Sequence, residues 1–236
     1  MCTQPPPPPP PPPPLAGRHT FVPLTGHTNE SLYLEDWNPG APLSERLSGC
    51  RVNQIGVTVA PNDMARLQVG LIGQESTADT TAYYTSPTAP STTPIVAGPT
   101  GTIRLGSADI AVVTGGSLQI AAALGVQDVV GSTVTPDVYP APVVVTGELS
   151  ILVQDEVEWN RFSNETEFAI WLKLNASTDP LAPFLSFYMA RCKYAGRSSA
   201  PQNGSIVQTL PFQALLPSAV TGSEQTTILV QDSGAV

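Results

Sequence analysis

Residues 143–153 read VVVTGELSILV. The odd positions are Val143, Val145, Gly147, Leu149, Ile151 and Val153, all apolar or small. The even positions bring Thr146, Glu148, Ser150 and, one step beyond, Gln154 to the other side. Alternation with period two over this length is the signature of a β-strand with one face buried and one face wet. A helix would spread the same residues around its circumference. The segment therefore sets the fold class, and its neighbours follow suit.

Upstream, Ile55, Val57 and Val59 alternate with polar or small residues, Pro61-Asn62-Asp63 makes a turn, and Ala65, Leu67, Val69 and Leu71 resume the pattern. Arg66 and Gln68 face the other way. This reads as an antiparallel hairpin, Arg51–Ile72, with one buried face. Residues 74–100, almost all Ser, Thr, Ala, Pro and Tyr, read as a long loop of a length that usually has a task. Strands are expected again at Thr102–Leu105, Ile110–Val113 and Ser117–Leu124, the last with Leu118, Ile120, Ala122 and Leu124 on one face. A Pro- and Gly-punctuated stretch covers Gly125–Pro142.

Downstream, Asp155 is placed to cap one short helix with Glu156 and Glu158 in its first turn, and Trp159 and Phe162 are expected to turn inward. Strands then follow at Glu167–Leu174, Leu185–Arg191, Ser205–Thr209 and Thr226–Gln231. In the Glu167–Leu174 segment, Phe168, Ile170, Leu172 and Leu174 share a face, and Trp171, like Phe168, reads as core. The fold class is mainly β: an antiparallel sandwich or barrel-like domain over 21–236 with one short helix. Hairpins Arg51–Ile72 and Leu118–Val153 share an anatomy, which raises an internal duplication, roughly 47–113 and 114–236.

Composition narrows the function. The chain has 236 residues, 26 of them Pro, with only 12% charged and a net charge of −9. A nucleic-acid grip needs a basic face, and none is written here. No apolar stretch approaches the roughly 18 residues of a membrane span, and Met1–Gln4 runs into prolines without the apolar region of an export signal. Residues 5–14 are ten consecutive prolines. They dictate a polyproline II rod of about 30 Å. It reads as a low-complexity tail or misassigned start, with a spacer or ligand for an aromatic groove as the alternative. Segment 1–20 stands apart from the folded domain.

Chemistry is sparse. His19 and His27 are the two histidines, and no nucleophile elbow, zinc-protease or phosphate-loop pattern occurs. Cys2, Cys50 and Cys192 are too few for a disulfide framework; reduced thiols are expected, with a Cys50–Cys192 bridge as the alternative. Four glycosylation sequons, at Asn29, Asn164, Asn175 and Asn203, read as chance. Glu148, Asp155, Glu156, Glu158, Glu165 and Glu167 crowd together with Arg161. They read as a solvated or lumen-facing acidic surface, in preference to a glycosidase pair or a calcium site. No catalytic, cofactor or metal residue is assigned.

Taken in order, LSGCRVNQIGVTVAPNDMARLQVGLIGQ (47–74), PVVVTGELSILVQDEVEWNRFSNETEFAIWLKL (142–174), GSIVQTLPFQALLP (204–217) and TTILVQDS (226–233) resemble the tail tube proteins of long-tailed bacteriophages. The proline run is a departure from that family. The resemblance implies a virion protein assembled in the host cytoplasm, whose copies close into hexameric or trimeric pseudo-hexameric rings. These rings stack into the conduit for genome delivery. It implies other tail proteins, tape measure and terminator, as partners, with DNA only in transit and no membrane. On this reading strands 65–71 and 143–153 build the inner wall. Arg66, Gln68, Glu148 and Gln154 then face the lumen or a neighbour, and Tyr83 and Tyr84 anchor an inter-ring loop. An acidic, poorly adhesive bore suits passage of DNA. The competing class is a phage decoration or receptor-binding sandwich that recognises carbohydrate, and a carboxylate hydrolase is more distant.

Overall fold

The computed structural model describes residues 19–23, 30–89, 96–106, 108–109, 112–179, 182–217 and 226–233. The proline run and part of the 74–100 segment therefore lie outside the described residues. The strands are β1 (His19–Phe21), β2 (Leu32–Asn38), β3 (Leu43–Val59), β4 (Arg66–Ile72), β5 (Glu75–Asp79), β6 (Thr102–Leu105), β7 (Ala108–Asp109) and β8 (Val113–Ala121). They continue with β9 (Gly125–Val126), β10 (Val138–Tyr139), β11 (Val144–Leu152), β12 (Phe168–Asn175), β13 (Phe184–Tyr194), β14 (Ser198–Gln202), β15 (Ser205–Ala214) and β16 (Leu229–Asp232). The single α-helix among them, α1, spans Val157–Ser163.

All ladders are antiparallel. One layer runs β4-β3-β8-β11-β15, and the other runs β6-β12-β13-β16-β1; β13 crosses to β15 at Cys192–Tyr194 and joins them. Between the layers lies one apolar core: Val57, Leu118, Val145, Leu149 and Phe212 from the first face Leu105, Ile170, Leu174, Phe187 and Met189 from the second. Alternation does what the sequence expects on β11: Val145, Leu149 and Ile151 are buried, while Thr146 and Glu148 are exposed.

Gly147 sits in that buried row because the ring of Phe212, its ladder partner, occupies the space a side chain would fill. A Cβ there would come within 2.5 Å of the ring and closer still to the Ser117 carbonyl oxygen. Here an aromatic from one strand covers a glycine on the next, and the two act as one packing unit.

Several expectations are corrected. Residues 74–100 are not one loop, since 75–79 form β5 beside β3. Ser117–Leu124 begins earlier and stops at Ala121. There Ala123 adopts a positive φ of 47°, so Ala122 and Leu124 do not continue the face. Their amides instead bond the Asn53 carbonyl and side chain, at 2.7 and 2.9 Å.

Of the aromatics read as core, Trp159 and Phe162 do not turn inward, being 48% and 37% exposed, and Trp171 lies on the outer side of β12 beside Arg104. The face of α1 that meets the body is polar. Glu158 receives Arg161 at 2.6 Å and the Tyr194 hydroxyl, and Arg161 lies over the Phe168 ring. The residue in the capping position is Glu156, with no side-chain cap bond; Asp155 lies one residue ahead of it, its Oδ1 accepting the Val157 amide at 3.0 Å. Finally, Leu67, Val69 and Leu71 are on the apolar side of their hairpin but are not buried, being 62%, 45% and 37% exposed.

Candidate functional site

The first layer ends at β4, and among the described strands none pairs with its outer side. Reading straight across the ladders, Leu67, Val57, Leu118, Gly147 and Phe212 form one row on the core side. The inner members of that row are covered, whereas Leu67 overhangs the edge of the sandwich. Val69, next to Ile55, does the same one step along. An edge strand with free backbone groups and uncovered aliphatic side chains is a template for association.

The opposite face of that layer is wet. Its rows are Arg66, Thr58, Ser117, Glu148, Pro211 and then Gln68, Gly56, Gln119, Thr146, Gln213. Amides, hydroxyls and small residues dominate, and Gln119 donates to Gln54 across the β3–β8 ladder at 3.1 Å. In these two rows Arg66 and Glu148 supply the charges, and Arg66 is met by Asp63 at 3.1 Å. Arg66, Gln68 and Glu148 are therefore brought to one face. Gln154 is not; it lies two residues past the end of β11, exposed, before α1.

Of the rest of the expected acidic crowd, Glu158, Glu165 and Glu167 have partners contributed from β13. Glu165 binds Lys193, and Glu167 takes a two-armed contact from Arg191 at 2.6 and 2.7 Å. These hydrogen bonds hold both carboxyls below their usual range. Buried Tyr194 is pushed well above an ordinary phenol by desolvation, with Glu158 adding to it. Sequence reasoning saw Arg161 alone, because Arg191 and Lys193 lie 24–28 residues away and meet the carboxylates only through the β12–β13 pairing. Cys50 and Cys192 are free and buried. Burial raises both thiols, that of Cys192 to about 12.

A second surface is an arm. Here the first half of β3 leaves the sandwich and is flanked by β2 and β5. At its centre Glu35, 4% exposed at the side chain, accepts the hydroxyl of fully buried Ser44 and the backbone amides of Tyr83 and Tyr84 at 2.6 and 2.8 Å. Those bonds, the one from Ser44 first, lower its pKa. Arg46 bonds Ser44 at 3.0 Å, Asp79 at 3.0 Å and the Thr81 carbonyl at 2.6 Å. Above this network Tyr33, Tyr83 and Tyr84 stack with centroids 5.0 to 6.4 Å apart, and Arg46 sits over Tyr83. Tyr83 and Tyr84 remain 57% and 49% exposed. The polar network fixes the loop's backbone, so the aromatic cluster is presented rather than tucked away.

Beyond these surfaces, no helix of the described residues is long and apolar enough to cross a membrane, and no group of three or more metal-binding side chains occurs among them. A sequence model of phage tail tube proteins matches residues 18–214. The chain belongs to the phage tail tube protein family. It is a structural protein of the virion tail, and the family is a structural one. Among solved structures it is similar to the SPP1 tail tube determined by solid-state NMR and electron cryo-microscopy. The two are 8% identical over 68% of this chain and 72% of that one, with a TM-score of 0.28. That superposition is too loose to map residues from one chain to the other. No curated protein matches.

Proposed function

We propose that copies of this tail tube protein close into rings through the β4 edge, and that the rings stack into the tube through which DNA leaves the particle. The observation that carries the reading is the overhang of Leu67, Val69 and Leu71 on the core side of an unpaired edge strand. A neighbouring copy laid against that edge covers the three side chains and meets the free backbone groups of β4. Head-to-tail contacts of this kind generate a ring when the rotation closes. Six copies make the ring, the count that follows without a duplication of 47–113 and 114–236.

Closure turns the wet face of the β4-β3-β8-β11-β15 layer toward the bore, with Arg66, Gln68 and Glu148 on it. Basic surfaces hold DNA at K_d of about 10⁻⁴–10⁻⁶ M without regard to sequence. In these rows the amides and hydroxyls carry one Arg and one Glu, and a wall so poor in net positive charge gives the duplex little to adhere to. Gln154, outside the strand, faces a neighbour. The arm carrying Tyr83 and Tyr84 reaches the next ring, aromatic anchors of this type being enriched at protein interfaces. Tape measure and terminator proteins are its partners in the tail, DNA passes only in transit, no membrane is involved, and assembly takes place in the host cytoplasm.

Negative-stain microscopy of the purified chain beside Leu67→Glu tests this. Rings or tubes from the first, and folded monomers from the second, are expected. Normal rings from Leu67→Glu would overturn the role of the edge.

A further inference from the structure

The second layer has an outer face that tube formation through β4 leaves unused. Arg104, Trp171, Tyr188 and Leu229 stand side by side on β6, β12, β13 and β16, because each is the ladder partner of the next. Together with Gln231 they line a groove of about 470 Å³, within the roughly 300–1,000 Å³ range of binding clefts. Arg104 lies 5.4 Å from the Trp171 ring, and the same face continues with Lys173 at 5.0 Å from the ring of Phe184. Trp171 and Tyr188 give the groove two aromatic side chains, and none of the described residues that line it is a carboxylate.

We propose that this groove is the docking site of the chain's own proline run, Pro5–Pro14. Aromatic-lined grooves take polyproline II segments because proline rings stack on flat side chains, and because the rod is already ordered before it binds. A run of prolines also has carbonyl acceptors and no N–H donors, and the Trp171 indole on the lining is a donor of the complementary kind.

Position supports the same occupant. Strand β1 forms the border of this layer, and His19 pairs with Asp232, which pairs with Leu185. Tyr188 is three residues further along β13 and two strands over, about 10 Å in each direction. Residues 15–18 extend up to about 17 Å between Pro14 and His19, and Gly17 permits the reversal that lays the run back over the face. The docking is intramolecular, and it stands or falls independently of ring closure.

The test places photoreactive p-benzoylphenylalanine at position 188 of the full chain, irradiates dilute protein and digests it with trypsin. No Lys or Arg precedes Arg18, so the proline run leaves as one peptide, 1–18. Cross-links from position 188 to that peptide within one chain are expected, falling at least about tenfold when Pro5–Pro14 is replaced by a Gly-Ser repeat of equal length. In a second readout that leaves Tyr188 intact, the ¹⁹F resonance of 5-fluorotryptophan at Trp171 shifts between the native chain and the Gly-Ser chain. Cross-links only to other segments or between two chains, equal yield from the Gly-Ser chain, or an unmoved Trp171 resonance would overturn the proposal.

Discussion

Leu67 and Val57 face each other across the β3–β4 ladder, yet Leu67 is 62% exposed and Val57 is 3% exposed. One ladder step separates the core of the sandwich from its rim. The same apolar row is covered at Val57, Leu118 and Phe212 and bare at Leu67, where the proposed ring contact lies.

The row predicts a split between stability and assembly. Leu118→Ala should cost about 2–5 kcal/mol in a denaturant melt, as for other buried leucines. Leu67→Ser should change the monomer's stability by no more than about 0.5 kcal/mol while abolishing rings in sedimentation. Equal losses of stability would show that Leu67 belongs to the core.

Gly147 and Phe212 yield a second prediction. Gly147→Ala forces the Phe212 ring or the Ser117 backbone to move and should destabilise by about 1–3 kcal/mol. Gly125→Ala, where an added Cβ meets nothing within 4 Å, is the matched control and should be near neutral. A thermal melt of both variants measures the difference.

Much of this was legible in the sequence, and what was missed has a common cause. β11, β12 and the sandwich half of β3 each bury one side, and β4 repeats the alternation at the rim, so their periodicity shows in the residues. β5 and β14 are exposed at every position, and β2 is LYLEDWN, with charges at its centre. Strands without a buried face write no alternation, and pairing with β3 or β15 alone defines them. The aromatics of α1 misled for the converse reason. A helix of seven residues is docked here by Glu158 and Arg161, not by its apolar side chains. Of the candidate surfaces, the shared face of Arg66, Gln68 and Glu148 followed from alternation. The Glu35 anchor beneath Tyr83 did not, because 48 residues separate the two.

That anchor predicts a pH dependence. The Glu35 carboxyl is held below its ordinary value of 4.5, chiefly by the Ser44 hydroxyl. Its contribution is thus complete above that value and lost as pH falls through the lowered one. Asp79, Glu165 and Glu167 are lowered too and act in the same direction. The melting temperature should be flat from pH 7 to 5 and fall below about pH 4.5, less steeply in Glu35→Gln. A melting curve of Glu35→Gln that falls as steeply as the parent's would contradict the assignment.

Presented tyrosines imply a stacking phenotype. Tyr83→Ser with Tyr84→Ser should leave rings intact and shorten or abolish tubes, as counted by electron microscopy. Tubes of normal length from this variant would remove the arm from inter-ring contact.

Buried thiols imply inertness. Cys192, pushed up to about 12 by burial, and Cys50 should react with Ellman's reagent only after denaturation. Rapid labelling of the native chain at either position would contradict their placement.

The most direct test of the central claim is a helical reconstruction of tubes assembled from the full chain. The account predicts stacked rings in which a neighbouring copy covers Leu67, Val69 and Leu71, with Arg66, Gln68 and Glu148 lining the bore. Tubes in which β4 faces solvent, or in which that wet face points outward, would contradict it.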